Sequence, residues 1–330
     1  MVREITYFEA VFEAEREEMA RDERVILIGE DLGLYEKTGL LSGFGDRLRS
    51  APISENGFVG MGVGAALTGL RPIVDLTIAS LFFVAMDQVV SQAAKSRYMF
   101  GGQADVPLVI RAGMWHGASY GAHHSDRPYP MLMNVPGLKI AVPATPADVK
   151  GLLLAAILED DPVLVFEDKG QWFHRGPVPE GDDPLPLGRA RIVRAGGDVT
   201  LVAIGSCVAA ASDAAETLAQ EGIEAQVIDP RCLVPLDEAA ILDSVARTGR
   251  LVIADPANRT CGAAAEISAR VVEQAFDALR APVRRVTTPD VHIPFSPVLE
   301  KPLYPSAEGI AAAVREVTGA SGRTRSEVTE

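Results

Sequence analysis

Short apolar runs alternate with stretches of helical period from one end of this 330-residue chain to the other. No other feature constrains the fold as strongly, because a strand followed by a crossover helix returns to pair in parallel. RVILIGED (24–31) reads as a buried strand. Before it, Phe8, Val11 and Phe12 fall at helical spacing and are followed by charge, so Tyr7 to Asp22 reads as an amphipathic helix. FVGMGVGAALTGL (58–70) is a small-residue helix stopped by Gly69, and RPIVDLTIA is the next strand. Phe82 to Tyr98 reads as a helix ending at Gly101 and Gly102. VPLVIRAG and LKIAVPA are strands, Pro146 opens a helix at a favoured first-turn position, and PVLVFED closes the series.

A second alternating series begins at VTLVAIGS (199–206) and ends with the helix SAEGIAAAVREVT (306–318). Strands alternating with helices imply mostly parallel sheets with helices on both faces. The expectation is an α/β chain of two such domains, 1–175 and 196–320. Between them, 176–195 reads as a linker, because PVPEGDDPLPLG is rich in proline and glycine. The polar stretch 321–330 reads as a frayed tail.

Charge narrows the partners. The chain carries 31 Lys and Arg against 45 Asp and Glu, a net charge of −14. That balance disfavours nucleic acid or an anionic membrane surface. No apolar run reaches the length of a membrane helix, and the charged N-terminus lacks the apolar core of a signal peptide. Cys207, Cys232 and Cys261 form no CxxC pair and are odd in number, which suits thiols in a reducing compartment. The chain reads as cytoplasmic.

Segment 52–102, PISENGFVGMGVGAALTGLRPIVDLTIASLFFVAMDQVVSQAAKSRYMFGG, resembles the beta subunit of pyruvate, branched-chain and acetoin dehydrogenases. The similarity continues through VPLVIR (106–111), HHSD (123–126), 135–157 and DPVLVFE (161–167), and resumes at VIDPRCLVPLD (227–237). It implies a pyrimidine-binding thiamine-diphosphate fold followed by a transketolase C-terminal-like domain. It also implies thiamine-diphosphate-dependent oxidative decarboxylation of a 2-oxo acid, with the acyl group passed to lipoyl.

Site residues follow from the same resemblance. Glu55 in PISENGF matches the glutamate that bonds the aminopyrimidine ring, and Glu30 in LIGED matches one near the cofactor. Read alone, Glu55 is equally a helix-start carboxylate serving backbone donors, and Glu30–Asp31 a polar strand end. His124 in GAHHSD matches a histidine close to the reacting carbon, where an imidazole moves protons at neutral pH. Read alone, HHSD is a solvated loop. His123 and Asp126 are expected to line the substrate pocket. Asp87, Gln88 and Lys95 match a stretch that knits subunits together. Backbone carbonyls at Leu108, Ala156, Ile157, Glu159 and Asp161 match positions that hold potassium, although ILEDDP also reads as a plain helix end and turn.

Two departures matter. Leu81 stands where related subunits stack an aromatic ring on the aminopyrimidine, with Phe82 or Phe83 as possible replacements. Asp126 stands where glutamine is usual, and its charge opposes an anionic substrate unless paired, for example with Arg127. A missing feature matters too. GDR (45–47), GDD (181–183) and GDV (197–199) do not supply the GDG…N motif that holds magnesium and diphosphate. The resemblance therefore implies an alpha subunit carrying that motif and its magnesium, in a heterotetramer of two alpha and two beta chains. It also implies a lipoylated acyltransferase as acceptor. The alternatives are a thiamine-dependent carboligase or split transketolase-like enzyme passing its fragment to a carbonyl, and a non-catalytic scaffold subunit.

Overall fold

The computed structural model describes residues 2–115, 117, 119–181 and 183–319. Its strands are β1 (Val2–Thr6), β2 (Val25–Gly29), β3 (Leu48–Ser50), β4 (Arg71–Ile78), β5 (Val109–Met114), β6 (Lys139–Ala141) and β7 (Val163–Asp168). There follow β8 (Arg175–Pro179), β9 (Arg191–Arg194), β10 (Val199–Ala203), β11 (Ala225–Asp229), β12 (Cys232–Val234), β13 (Leu251–Asn258) and β14 (Arg284–Thr288).

The first sheet has the order β12-β6-β7-β5-β4-β2-β3, parallel from β6 to β3. The second has the order β14-β13-β10-β11-β9, parallel except for β9. The central strands β2, β5 and β7 are buried along their whole length, as a sheet covered on both faces requires. The alternating pattern therefore gives the two mostly parallel α/β sheets it implied.

The first helix, Tyr7–Arg21, begins at a capping box. Thr6 accepts from the Glu9 amide while the Glu9 carboxylate accepts from the Thr6 amide. The helix Pro146–Leu158 starts with Thr145 accepting from the Asp148 amide, and proline sits in its first turn.

Three features differ from the sequence reading. The span Phe82 to Tyr98 is not one regular helix. It is a 3-10 turn Ala79–Phe83, a π-helical stretch Asp87–Ala93 and an α-helix Ala94–Met99. The stretch 176–195 carries strand β9 and most of β8, which pairs with β1 at the N-terminus. Strand β12, from the second series, adds antiparallel to β6 of the first sheet. One apolar cluster accordingly runs from Ile28 and Phe58 through Phe166 to Leu233, Ile253 and Ile267. The tail 321–330 lies outside the described residues. Among the described residues no helix is long and apolar enough to cross a membrane.

Candidate active site

The segments bearing Glu30, Glu55, Leu81, His123, His124 and Asp126 leave the C-terminal edge of the first parallel sheet, where α/β folds bind ligands, whereas Leu108 and Asp161 precede β5 and β7 at the other edge. Glu30 follows β2 directly. Glu55 opens the helix Glu55–Leu67 shortly after β3, and the Ala51 amide bonds the Gly29 carbonyl at 2.9 Å, which brings the two glutamates' segments together. The turn Ala79–Phe83 follows β4, and the loop bearing His123, His124 and Asp126 follows β5. The Asp126 amide donates to the Ser80 hydroxyl at 3.3 Å, fastening this loop to that turn.

Glu55 is only 8% exposed, and the Ser54 side chain makes no cap bond at its helix start. Burial pushes the Glu30 carboxyl up to about 7, and the charges of Glu55, Asp31 and Asp75 add to the effect. Glu30 Oε2 is sealed from solvent without a hydrogen-bond partner. A buried polar atom left unpaired is costly, so it marks a place built for a donor. A partly neutral carboxyl beside a second carboxyl suits the ring nitrogens of an aminopyrimidine.

His124 is half-buried with its Nδ1 enclosed and unpartnered, whereas His123 is exposed. The Tyr120 ring centroid lies 6.5 Å from that of His124. The Ser125 hydroxyl is also buried and unpartnered. Arg127 donates to the Ser125 carbonyl at 3.2 Å and lies over the Tyr304 ring at 5.0 Å.

Phe82 does not reach the site. It is fully buried and packs on Phe166 with ring centroids 5.1 Å apart, so the role of cofactor contact given to it is corrected to core. Leu81 is half-buried against the core, and Phe83 is exposed. Gln88 packs on the Glu55–Leu67 helix at Gly60, where an added Cβ would lie 2.8 Å from Gln88 Oε1. Asp87 and Lys95 are exposed.

The segments of Leu108, Ala156, Ile157, Glu159 and Asp161 are tied together by backbone and Arg71 hydrogen bonds. The Val106 amide bonds the Asp160 carbonyl at 2.9 Å, and the Val163 amide bonds Leu108 at 2.9 Å. Arg71 bonds the Ile157 and Glu159 carbonyls at 2.8 and 2.5 Å, and Ala156 accepts from Glu159 at 3.3 Å. Each carbonyl oxygen has a second lone pair. Four of the five carbonyls, those of Leu108, Ala156, Ile157 and Glu159, thus already accept a hydrogen bond, two of them from the Arg71 guanidinium.

Sequence reasoning missed Lys169, just past β7. Its Nζ lies 2.9, 4.8 and 5.5 Å from the ring centroids of Trp115, Tyr120 and Trp172. Burial pulls this ammonium down to about 8. Both tryptophans of the chain gather around one lysine. That convergence leaves no mark in sequence spacing, because Trp115 and Tyr120 lie about fifty residues from Lys169.

A sheet edge holding paired carboxyls and a histidine loop, followed by a second parallel sheet, defines the transketolase-like class of thiamine-diphosphate proteins. The Transketolase, pyrimidine binding domain family matches residues 3–173, and the Transketolase, C-terminal domain family matches 188–310. The beta subunit of acetoin:2,6-dichlorophenolindophenol oxidoreductase from Cupriavidus necator is 45% identical, over 96% of this chain and 98% of that one. The pyruvate dehydrogenase E1 component beta subunit of Rickettsia felis is 41% identical, over 95% and 98%. The chain belongs to this family of beta subunits of 2-oxo acid and acetoin dehydrogenases. A split-gene transketolase, described as an inactive β4 tetramer, superimposes with a TM-score of 0.80 at 25% identity, over 96% and 98% of the two chains.

Proposed function

We propose that this chain supplies the pyrimidine half of a thiamine-diphosphate site and catalyses oxidative decarboxylation of a 2-oxo acid only with an alpha subunit. The observation that carries the reading is Glu55 at its helix start beside a Glu30 carboxyl held near neutrality. Thiamine diphosphate, when bound, supplies the carbon nucleophile and the electron sink for loss of carbon dioxide. Glu55 holds a proton between its carboxyl oxygen and the aminopyrimidine nitrogen. Glu30 keeps a second exchangeable proton beside it. Leu81 packs on the ring face. His124 moves a proton at the reacting carbon and guides the incoming lipoyl group. His123 and Asp126 line the substrate pocket.

The diphosphate and its magnesium fall to the alpha subunit, since GDG…N is not in this sequence. Tyr98 and Met99, 87% and 72% exposed, line an apolar groove of about 1160 Å³ with Ala93 and Leu138. An apolar surface of this kind supports burial against another subunit in a heterotetramer of two alpha and two beta chains. A lipoylated acyltransferase receives the acyl group, and potassium binds the carbonyls of Leu108, Ala156, Ile157, Glu159 and Asp161. The domains run 1–175 and 196–320, and the protein works in the cytoplasm.

Asp126 favours a second reading, in which the donor or acceptor is a neutral carbonyl compound such as a hydroxyketone. An anionic carboxylate near Asp126 is repelled, whereas a neutral ketone is not.

The test is co-expression with an alpha-type chain, then a decarboxylation assay with thiamine diphosphate and magnesium, with and without a lipoyl domain. The expected result is turnover that needs both chains, transfers acyl to lipoyl and falls at least about 100-fold in Glu55→Ala. Turnover that ignores lipoyl and yields a ligated product would establish the second reading instead. An assembled pair that binds no cofactor would leave the chain a scaffold.

A further inference from the structure

The loop that carries His124 is held by the far end of the chain. Glu300, 1% exposed, closes the short helix Pro297–Glu300. One of its carboxylate oxygens accepts from the Gly117 amide at 2.8 Å, and the other from the Ser119 amide at 3.0 Å. The Tyr304 hydroxyl donates to the first oxygen at 3.0 Å. These partners satisfy a carboxylate that burial would otherwise make costly.

The loop needs such a clamp. Gly117, Ser119 and Gly121 have φ of +66°, +59° and +70°, and Ser119 is not a glycine. A residue in the left-handed region persists only where its surroundings over-determine it. Phe295 adds a wall, since a Cβ on Gly121 would lie 3.2 Å from its ring. Lys169 lies against Trp115 and donates to the Tyr120 hydroxyl at 3.2 Å. Tyr120, held this way, stands beside His124.

We propose that Glu300 is a positioning residue for His124: its carboxylate holds the Gly117 and Ser119 amides, and through the adjoining Tyr120 it fixes the place of the imidazole at the sheet edge. This rests on the functional reading above only for what the imidazole does. The C-terminal half thus reaches the loop that carries His124. A misplacement of about 1 Å in a reacting group costs up to about 100-fold in rate, so loss of the clamp is read in kcat.

The experiment uses the full chain, alone and assembled with its alpha partner, carrying Glu300→Ala or the conservative Glu300→Gln, each with and without His124→Ala. In the chain alone, the Gly117 and Ser119 amides exchange faster in Glu300→Gln and the His124 imidazole NMR signals move, while amides in β10 and β13 are unchanged. In the assembled pair, Glu300→Ala lowers kcat about 10- to 100-fold and leaves KM nearly unaltered. Glu300→Gln is intermediate, because its carbonyl oxygen still accepts one bond. In the His124→Ala background Glu300→Ala adds less than about twofold, as residues acting as one unit do. Unchanged exchange and imidazole signals in both Glu300 variants overturn the proposal. So does an undiminished effect of Glu300→Ala when His124 is already gone. A wild-type pair without thiamine-dependent turnover defeats the functional reading instead, and the exchange and imidazole measurements then decide the clamp alone.

Discussion

Glu55 stands close enough to Glu30 to raise the proton affinity of its carboxyl, adding to the burial that takes Glu30 to about 7. A group that titrates there changes charge near neutral pH. Activity of the assembled pair is expected to fall as pH rises through about 7, when the Glu30 proton is lost. Glu30→Gln removes that ionisation and flattens the limb. A pH–rate profile whose limb near 7 is the same in wild type and Glu30→Gln would disprove this role.

A second carboxyl lies deeper. Arg111 Nε lies 2.8 Å from Glu15, and its two amino groups lie 2.8 Å from Asp75 and Glu167. All four side chains are buried, so three carboxylates share one guanidinium. Burial pushes Glu15 up to about 7, Arg111 opposes it, and Asp75 and Glu167 add to it. The sign follows from the raised value. The folded state binds this proton more tightly than the unfolded chain, so the benefit is complete below about 4.5 and is lost as pH rises through about 7. Denaturation free energy should therefore drop by up to about 3 kcal/mol over that window. Glu15→Gln, which carries no titrating group, should lose most of that slope in urea titrations taken across it. An unchanged slope would assign the pH dependence elsewhere.

The elements that sequence shows well are those whose side chains repeat. β2 is a continuous apolar run, β5 and β7 are apolar but for Arg111 and a terminal Glu167–Asp168, and Tyr7–Arg21 shows in the helical spacing of Phe8, Val11 and Phe12. The short strands β8, β9 and β12 do not. Their ladders depend on partners far along the chain, and residues such as Pro177 and Arg191 read as linker. The π-helical stretch Asp87–Ala93 is likewise invisible, because a shift in backbone hydrogen bonding leaves little mark on side-chain spacing. Within the candidate site, Glu55, Glu30 and His124 stand out in sequence through their flanking segments. Phe82 was misplaced because direction around a 3-10 turn is not encoded by residue type. Glu300 was missed because it acts on Gly117 across 183 residues of sequence.

Asp126 tests which substrate the pocket suits. Its amide is tied to Ser80, which fixes the backbone beneath a partly exposed carboxylate. Asp126→Asn keeps that bond and removes the charge. With solvent screening the repulsion is on the order of 1 kcal/mol, so kcat/KM for a small 2-oxo acid should rise about fivefold relative to a neutral hydroxyketone. Equal ratios in wild type and variant would mean that substrate does not approach Asp126.

Leu81 offers a gain of function. It projects from the Ala79–Phe83 turn, half-buried against the same core that encloses Phe82 and Phe166. A phenylalanine there would present a ring to an aminopyrimidine, and paired rings contribute about 0.5–1.5 kcal/mol beyond the area they bury. Leu81→Phe should therefore tighten thiamine diphosphate binding about 2- to 10-fold in the assembled pair, with kcat nearly unchanged. Titration of the cofactor against tryptophan fluorescence reads the affinity, because Trp115 and Trp172 both lie at this sheet edge around Lys169. Weaker binding in the variant would show that the leucine is directed into the core, with no ring face beside it, and would remove Leu81 from the site.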